Sequence, residues 1–275
     1  MYMKRHIMLT GGSGYIGSHI AVELINNGYV PIIVDNFSNS QVSTIKKLEF
    51  ICNEKIIYFN CDINNKESLN KIFSTFDIEC VIHLAALKSI PESIRNPLMY
   101  FQNNIGGITQ ILKTMSEHNC NKFIYSSSCS IYNEKSEMPI KETAELKGTN
   151  PYSISKVIGE KILDSYGKNK KSFNYISLRY FNPIGSHSSG LIGDNPNLEN
   201  GSLISEICKV GSKKNSTLNV YGDDYNTPDG TPIRDYIYVE DLANAHVKAL
   251  DYLLKRSDSS YEIFNVGTGK GNSVL

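Results

Sequence analysis

The chain has 275 residues, 40% of them hydrophobic, which is enough for one large domain or two modest ones with a real core. Lys+Arg and Asp+Glu both number 28, a balance that argues against a general nucleic-acid binder, which needs a basic excess to neutralise phosphates. No apolar run approaches the roughly 18 residues of a membrane span, and the basic N-terminus reaches its glycines too soon for a signal peptide, so neither is expected. Six scattered cysteines form no C-x-x-C pair, and several lie in apolar runs. They read as buried free thiols in a reducing cytoplasm, with no metal site.

In chain order, HIMLT (6–10), VPIIV (30–34), KIIYF (55–59), CVIHLAA (80–86), KFIYSS (122–127) and YISLRYF (175–181) read as strands. Stretches with a 3.6-residue period, such as SHIAVELINNG, separate them. That alternation predicts an α/β fold, a Rossmann-like doubly wound parallel sheet covered on both faces, over residues 1–182. After Pro183 the texture changes to a Gly/Ser/Asn/Pro-rich loop, GSHSSGLIGDNPNLENG. Residues 183–275 then read as a small α/β substrate-binding region capping the first: a helix at LISEICKV, a strand at STLNVYG, a polar loop, and RDYIYVEDLANAHVKALDYLL. The final EIFNVGTGKGNSVL reads as a strand, a glycine turn and the start of a helix capped by Asn272 or Ser273. A helix stopping after its first turn buries nothing, so the chain is expected to be truncated at its C-terminus.

The first strand runs into TGGSGYIGSHI, where Gly12, Gly14 and Gly17 fit G-x-G-x-x-G and Gly11, Gly14 and Gly17 fit G-x-x-G-x-x-G. Either spacing allows a tight turn and brings backbone against a pyrophosphate at a helix N-terminus. The pattern alone is weak; its strand–turn–helix setting strengthens it. No Gly-Lys-Ser/Thr follows, which excludes a P-loop. Asp35 ends the second strand, where a carboxylate accepts hydrogen bonds from an adenosine ribose and repels a 2′-phosphate. With no arginine in DNFSNSQ, the expected cofactor is NAD rather than NADP. Asp62, after the third strand, can reach the adenine or simply cap a helix.

A hydride carrier needs a partner that handles the substrate proton. Tyr152 and Lys156, in YSISK, lie one helical turn apart on one face. Lowering a phenol from about 10 to about 7 takes roughly 4 kcal/mol of differential stabilisation, within reach of the lysine and a nicotinamide cation together. Ser126, Ser127 and Ser128 end the fifth strand, where parallel strands open onto their ligand crevice, so Ser128 can hold the substrate oxygen. Tyr166 and Lys170 repeat the spacing in SYGKNK, but as a solvated helix end with no serine strand behind it.

On these residues the chain resembles the extended short-chain dehydrogenase/reductases, and among them the UDP-glucose 4-epimerase family. MLTGGSGYIGSHI, VDNFSNS, VIHLAALKS, YSSSCSIY, NPYSISK, LRYFNPIGSH, YGDDYNTPDGTPIRDYIYVEDLA and FNVGTGKG carry the resemblance in order. It implies tightly held NAD that oxidises the sugar at C4; the 4-keto sugar then turns and takes hydride back on its other face. UDP-galactose and UDP-glucose would so interconvert, in galactose metabolism. Tyr152 would be base and later acid, Ser128 would bind the C4 oxygen, and Lys156 would tune Tyr152 and bond the nicotinamide ribose. The resemblance places Tyr15 and Ile16 at the pyrophosphate, and Asp35, Asn36, Asn39 and Ser40 around the adenosine ribose. Asp62, Ile63, Leu84, Ala85, Ala86, Lys88, Asn103 and Phe181 match further cofactor positions. On the UDP-sugar it places Lys88, Ser128, Tyr152, Asn182, Ser202, Tyr221 and Arg234.

Four positions depart from that family's pattern: Gly201-Ser202 replaces two asparagines near the diphosphate, and Asn133 and Ala86 each replace a glycine. The resemblance also implies a homodimer, packed through a long helix near 91–118 and the Tyr152 helix. UDP-glucuronate- or UDP-N-acetylglucosamine-type epimerases or decarboxylases are the enzymatic alternative, and a non-catalytic NAD-binding sensor is the alternative of another class. Dehydratases of nucleotide sugars carry acidic residues that SSSCS lacks.

Overall fold

In the computed structural model, residues 5–194, 202–256 and 260–275 are described. The chain alternates strand and helix through β1 (His6–Thr10), α1 (Tyr15–Asn26), β2 (Val30–Asp35), α2 (Ser43–Cys52), β3 (Ile57–Asn60) and α3 (Lys66–Thr75). It continues with β4 (Ile78–His83), α4 (Ile90–Arg95), α5 (Pro97–Glu117), β5 (Lys122–Ser128), α6 (Pro151–Asn169) and β6 (Asn174–Tyr180). Then come β7 (Asn182–Ile184), α7 (Leu203–Gly211), β8 (Ile233–Tyr238), α8 (Val239–Leu254), β9 (Tyr261–Val266) and β10 (Gly271–Ser273).

Seven parallel strands lie in the order β3-β2-β1-β4-β5-β6-β9, the doubly wound Rossmann-like sheet read from the sequence. Each apolar strand is covered on both sides. Ile7 and Leu9 of β1 join Ile20 and Leu24 of α1, Leu48 of α2, and Leu242, Val247 and Leu250 of α8 on one face. Met8, between them, points the other way, to Leu69 of α3, Ile108 and Ile111 of α5, and Leu163 of α6. Burying each such side chain is worth roughly 1.5–3 kcal/mol. Because the chain winds from β1 out to β3 and then returns to β4 on the opposite side, the strand order reverses at β1/β4. Ligands of such sheets bind there, beyond the carboxyl ends of the strands.

A second sheet of three strands, β10-β8-β7, follows directly from the end of β6. It differs from the sequence expectation in two places. Residues 216–222 form no strand, and Gly271–Ser273 pair antiparallel with β8 instead of opening a helix. Region 183–275 is also not confined to a cap. Its α8 packs on α1, and its β9 pairs with β6 as the seventh strand of the large sheet. Three of the six free cysteines, Cys61, Cys80 and Cys120, are buried, while Cys52 and Cys129 are half-buried and Cys208 is exposed. Among the described residues no helix is long and apolar enough to cross a membrane.

Candidate active site

The turn after β1 is shaped by contacts that leave no room for side chains. Gly11 has φ of 70°, and a Cβ there would lie 2.8 Å from the Ala85 backbone nitrogen. A Cβ on Gly17 would come 2.3 Å from the Gly11 carbonyl oxygen, so α1 lies against the loop only because that position is glycine. Gly14 precedes α1, which has neither a side-chain cap nor an acidic residue in its first turn. The first N–H groups of a helix have no intrahelical partner, and here they are left to an anion.

Asp35, at the carboxyl end of β2, ties this loop to its neighbour. Its Oδ2 accepts from the Ser13 N–H at 3.0 Å, and its Oδ1 accepts from the Phe37 N–H and the Ser40 hydroxyl, both at 2.9 Å. Next to it, the Asn36 amide donates to Asp62 at 3.1 Å. Burial alone would raise the Asp62 carboxyl, but bonds from Asn64 and Asn36 outweigh it and hold the group below the usual carboxylate range. Asn65, not Asp62, caps α3 by accepting from the Ser68 N–H.

These elements wall a cleft of about 450 Å³ that runs from Asp35 past the glycine loop to Tyr152 and Lys156. The volume falls within the ~300–1,000 Å³ usual for ligand pockets. Gly11, Gly14, Tyr15, Ile16, Gly17, Asp35, Asn36, Asn39 and Ser40 line one end; Ile63, Leu84, Ala85, Ala86, Lys88 and Asn103 line the middle. Two buried polar atoms among the lining residues, Ser13 Oγ and Asn39 Oδ1, have no protein partner. The glycine cradle, the open helix N-terminus, the ribose-type carboxylate and these orphaned atoms together fit a dinucleotide. Among the described residues no group of three or more His, Cys, Asp or Glu is arranged to hold a metal ion.

At the far end, local capping sets the catalytic helix. Asn150 Oδ1 accepts from the Ser153 N–H at 2.9 Å, and the Asn150 N–H donates to Ser153 Oγ at 3.1 Å, a reciprocal box with Pro151 in the first turn. The box fixes Tyr152. One turn on, buried Lys156 donates to the Ser126 carbonyl at 2.6 Å, and its ammonium lies 6.0 Å from the Tyr152 ring centre. Ser128, the last residue of β5, bears on the Tyr152 phenol and draws it down, while its hydroxyl lies 2.9 Å from that of Ser130.

Burial pushes Tyr152 up to about 12, against the downward pull of Ser128. It also pushes Lys156 down to about 7, opposed by Glu160. The expectation is a phenol brought toward 7 by the lysine and a nicotinamide cation together; the lysine by itself leaves it raised. Desolvation penalises both charged forms, and the lysine spends its hydrogen bond on a backbone carbonyl.

The remaining positions divide. Ser202 caps α7 and donates to Asp194, a cleft residue, at 2.6 Å; Gly201 beside it lies outside the described residues. Arg234 is exposed, but its charge bears on Cys129, next to Ser128. It makes no pair with Asp235, which accepts instead from Thr268 and Gly269. Asn182 donates to the Asp235 carbonyl at 2.8 Å, whereas Phe181 is off the cleft, with its N–H on Val266. Tyr221 is 78% exposed and part of no wall. Sequence reasoning put Ser126 at the crevice without a role and missed Tyr180; both line the catalytic end, from the carboxyl ends of β5 and β6. Their place at strand ends was the available signal. Tyr166–Lys170 is a helix end, its lysine 3.2 Å from the phenol and 2.9 Å from Ser116.

Residues 7–267 match the model of the NAD dependent epimerase/dehydratase family. The chain is 44% identical over 269 residues to the UDP-glucose 4-epimerase of Dictyostelium discoideum, covering 98% of this chain and 78% of that one. It is 42% identical to the bifunctional protein GAL10 of Pachysolen tannophilus, of which it spans 40%. The crystal structure of the Bifidobacterium longum UDP-glucose 4-epimerase in complex with NAD+ and UDP superposes with a TM-score of 0.94 at 39% identity, covering 98% of this chain and 80% of that one. With its glycine cradle, Asp35 and Tyr152–Lys156 in place, the chain belongs to the NAD dependent epimerase/dehydratase family, in the group of the UDP-glucose 4-epimerases.

Proposed function

We propose that this chain interconverts UDP-galactose and UDP-glucose by oxidising and re-reducing C4 of the hexose with tightly held NAD, as a step of galactose metabolism. The observation that carries this reading is that Tyr152 and Lys156 line one end of a dinucleotide-shaped cleft, with Ser128 bearing on the phenol. Bound NAD supplies the acceptor and later the donor of hydride at C4. Tyr152 takes the proton of the C4 hydroxyl and returns it in the second half, so one residue serves as base and acid. Ser128, which bears on the same phenol, holds the substrate oxygen beside it. Lys156 contributes positive charge that favours the phenolate and stands ready to bond the nicotinamide ribose.

The cofactor residues are those of the cleft, with Tyr15 and Ile16 at the pyrophosphate and Asp35, Asn36, Asn39 and Ser40 at the adenosine ribose. Ile63, Leu84 to Ala86, Lys88 and Asn103 complete that set, and Asp62 and Phe181, outside the cleft wall, are assigned to the cofactor by resemblance alone. On the substrate side, Arg234 brings a guanidinium suited to a diphosphate, with Lys88, Asn182, Ser202 and Tyr221. The region after residue 182 supplies most of these contacts. A non-catalytic NAD sensor need not keep Ser128, Tyr152 and Lys156 together. Incubating the purified protein with UDP-galactose is the test: UDP-glucose must appear, and an NAD-loaded protein that yields none refutes the reading.

A homodimer through α5 and α6 belongs to the same proposal. Ile158, Ile162 and Tyr166 of α6 line a shallow groove, and Ile94, Leu98 and Met99 stand exposed on α4 and α5. Light scattering that gives one chain's mass refutes it. A cytoplasmic location suits six free thiols, which fractionation tests.

A further inference from the structure

Three consecutive serines at the end of β5 each meet one member of a stripe on α6. The Ser128 hydroxyl bears on the Tyr152 phenol, the Ser126 carbonyl accepts from Lys156 at 2.6 Å, and the Ser127 hydroxyl donates to Glu160 at 2.6 Å. Tyr152, Lys156 and Glu160 are spaced four residues apart, so they stand on one face of the helix. Glu160 is buried, and Arg179 of β6 clamps it in a fork, Nε to Oε1 at 3.0 Å and Nη2 to Oε2 at 2.6 Å. The arginine is held in turn by the Tyr132 hydroxyl at 2.8 Å and the Glu142 carbonyl at 2.7 Å. Nothing in the proton-transfer reading uses this pair, and a buried ion pair is poor value as a stabiliser compared with apolar packing.

We propose that Glu160, clamped by Arg179, is a positioning residue for the reaction: it seats the Tyr152 helix on the serine strand end and keeps Lys156 cationic. The inference rests on the roles given above to Tyr152 and Lys156.

Several groups bear on the Lys156 ammonium or on its neighbours. Tyr152 and Glu160 flank it on its own helix, His83 of β4 faces it, and the Tyr125 ring of β5 lies 5.0 Å away; Tyr180 of β6 and Cys129 of the turn after β5 bear on Tyr152, and Arg179 of β6 on Glu160. Burial drives His83 down to about 3, so it is neutral, and it raises the phenols and the thiol, so they are neutral too. Glu160 is the one carboxylate of the set, paired with the Arg179 guanidinium at 2.6 Å. Of the buried ion pair it is the carboxylate, not the guanidinium, that opposes the loss of charge from Lys156. Four residues along a helix is close enough for that effect in a dry interior.

The test is the pH profile of kcat for UDP-galactose with the NAD-loaded enzyme. Glu160→Gln keeps the shape and the hydrogen bond to Ser127 but removes the charge. It is expected to move the alkaline limb, where Lys156 loses its proton, to lower pH by about one unit, a roughly tenfold change in the ionisation equilibrium. Glu160→Asp keeps the charge and is expected to keep the limb, whatever its absolute rate. Because Glu160→Gln leaves Arg179 buried and unpaired, the double variant Glu160→Gln/Arg179→Gln is measured as well and is expected to show the same displacement. A limb that stays in place in the double variant, with a loss uniform across pH or no loss at all, overturns the proposal. Wild-type turnover in the same assay tests the epimerase reading separately, so the two failures are distinct.

Discussion

Gly17→Ala probes the dinucleotide cradle at its tightest point. The new Cβ would lie 2.3 Å from the Gly11 carbonyl oxygen and 2.7 Å from the Gly12 Cα. Non-bonded heavy atoms prefer roughly 3.5 Å, and both obstacles are backbone, so no side-chain rotation relieves the clash. Either α1 slides away from the loop or the loop opens; overpacking of this kind costs about 1–3 kcal/mol, and backbone displacement places it at the upper end. Both routes separate the first N–H groups of α1 from the pyrophosphate position. About 2.7 kcal/mol taken from binding is a hundredfold in Kd. The assay is NAD retained after gel filtration, with titration of the stripped protein and a thermal melt. Gly14→Ala, whose Cβ would approach the same oxygen only to 3.3 Å, should lose much less. Gly211→Ala, at the end of α7 with open space around it, should leave NAD binding unchanged. A Gly17→Ala protein with wild-type NAD affinity and melting temperature would refute the reasoning.

Tyr152→Phe should abolish epimerisation while NAD stays bound; turnover near the wild-type level would remove Tyr152 from its assigned role. Asp35→Asn should lower the preference for NAD over NADP by about tenfold or more, since the repulsion of a 2′-phosphate is lost; competitive binding of the two cofactors measures it. Arg179→Met should lower stability by about 3–5 kcal/mol by leaving Glu160 buried and unpaired, read as the urea midpoint. Acid should weaken the fold through His83 and His246, whose folded-state values burial drives down to about 3 and about 4 from 6.5. For a depressed base the unfolded chain binds protons first. Each histidine's contribution is intact above pH ~6.5 and is lost as pH falls toward its folded value, at up to ~1.4 kcal/mol per unit. A flat urea midpoint from pH ~6.5 to ~4.5 would contradict this.

The large sheet was legible because parallel strands buried on both faces read as unbroken apolar runs, as HIMLT and YISLRYF do, and the turns between them carry glycine. The cofactor end was legible for a related reason: Gly17 and Asp35 are dictated by local geometry that leaves a local trace. What stayed hidden depends on partners distant in the chain. Asn272 and Ser273 favour helix caps in isolation, yet β8, some 40 residues earlier, supplies a ladder that draws them into a strand. STLNVYG has a strand's composition and no such ladder. Glu160 in VIGEKI reads as an ordinary solvated charge until β6 brings Arg179 beneath it.

The largest mismatch between sequence and structure concerns the base itself, and it bears on when the site can work. Spacing reveals that Tyr152 and Lys156 share a helix face, but not how much water each one loses. Burial separates the pair in the unhelpful direction, the phenol to about 12 and the ammonium to about 7. A neutral phenol cannot accept the C4 proton, so the base needs further positive charge beside it to act. A cation added at this end of the cleft would lower the phenol, though it would also disfavour a protonated Lys156. Glu160 is the group that resists the second effect. Stripped protein should therefore show no Tyr152 phenolate absorbance below the ordinary tyrosine range, as the difference between wild type and Tyr152→Phe. Loading with NAD should move that difference signal to lower pH. A phenolate already present near neutrality in the stripped protein would mean that Lys156 alone makes the base.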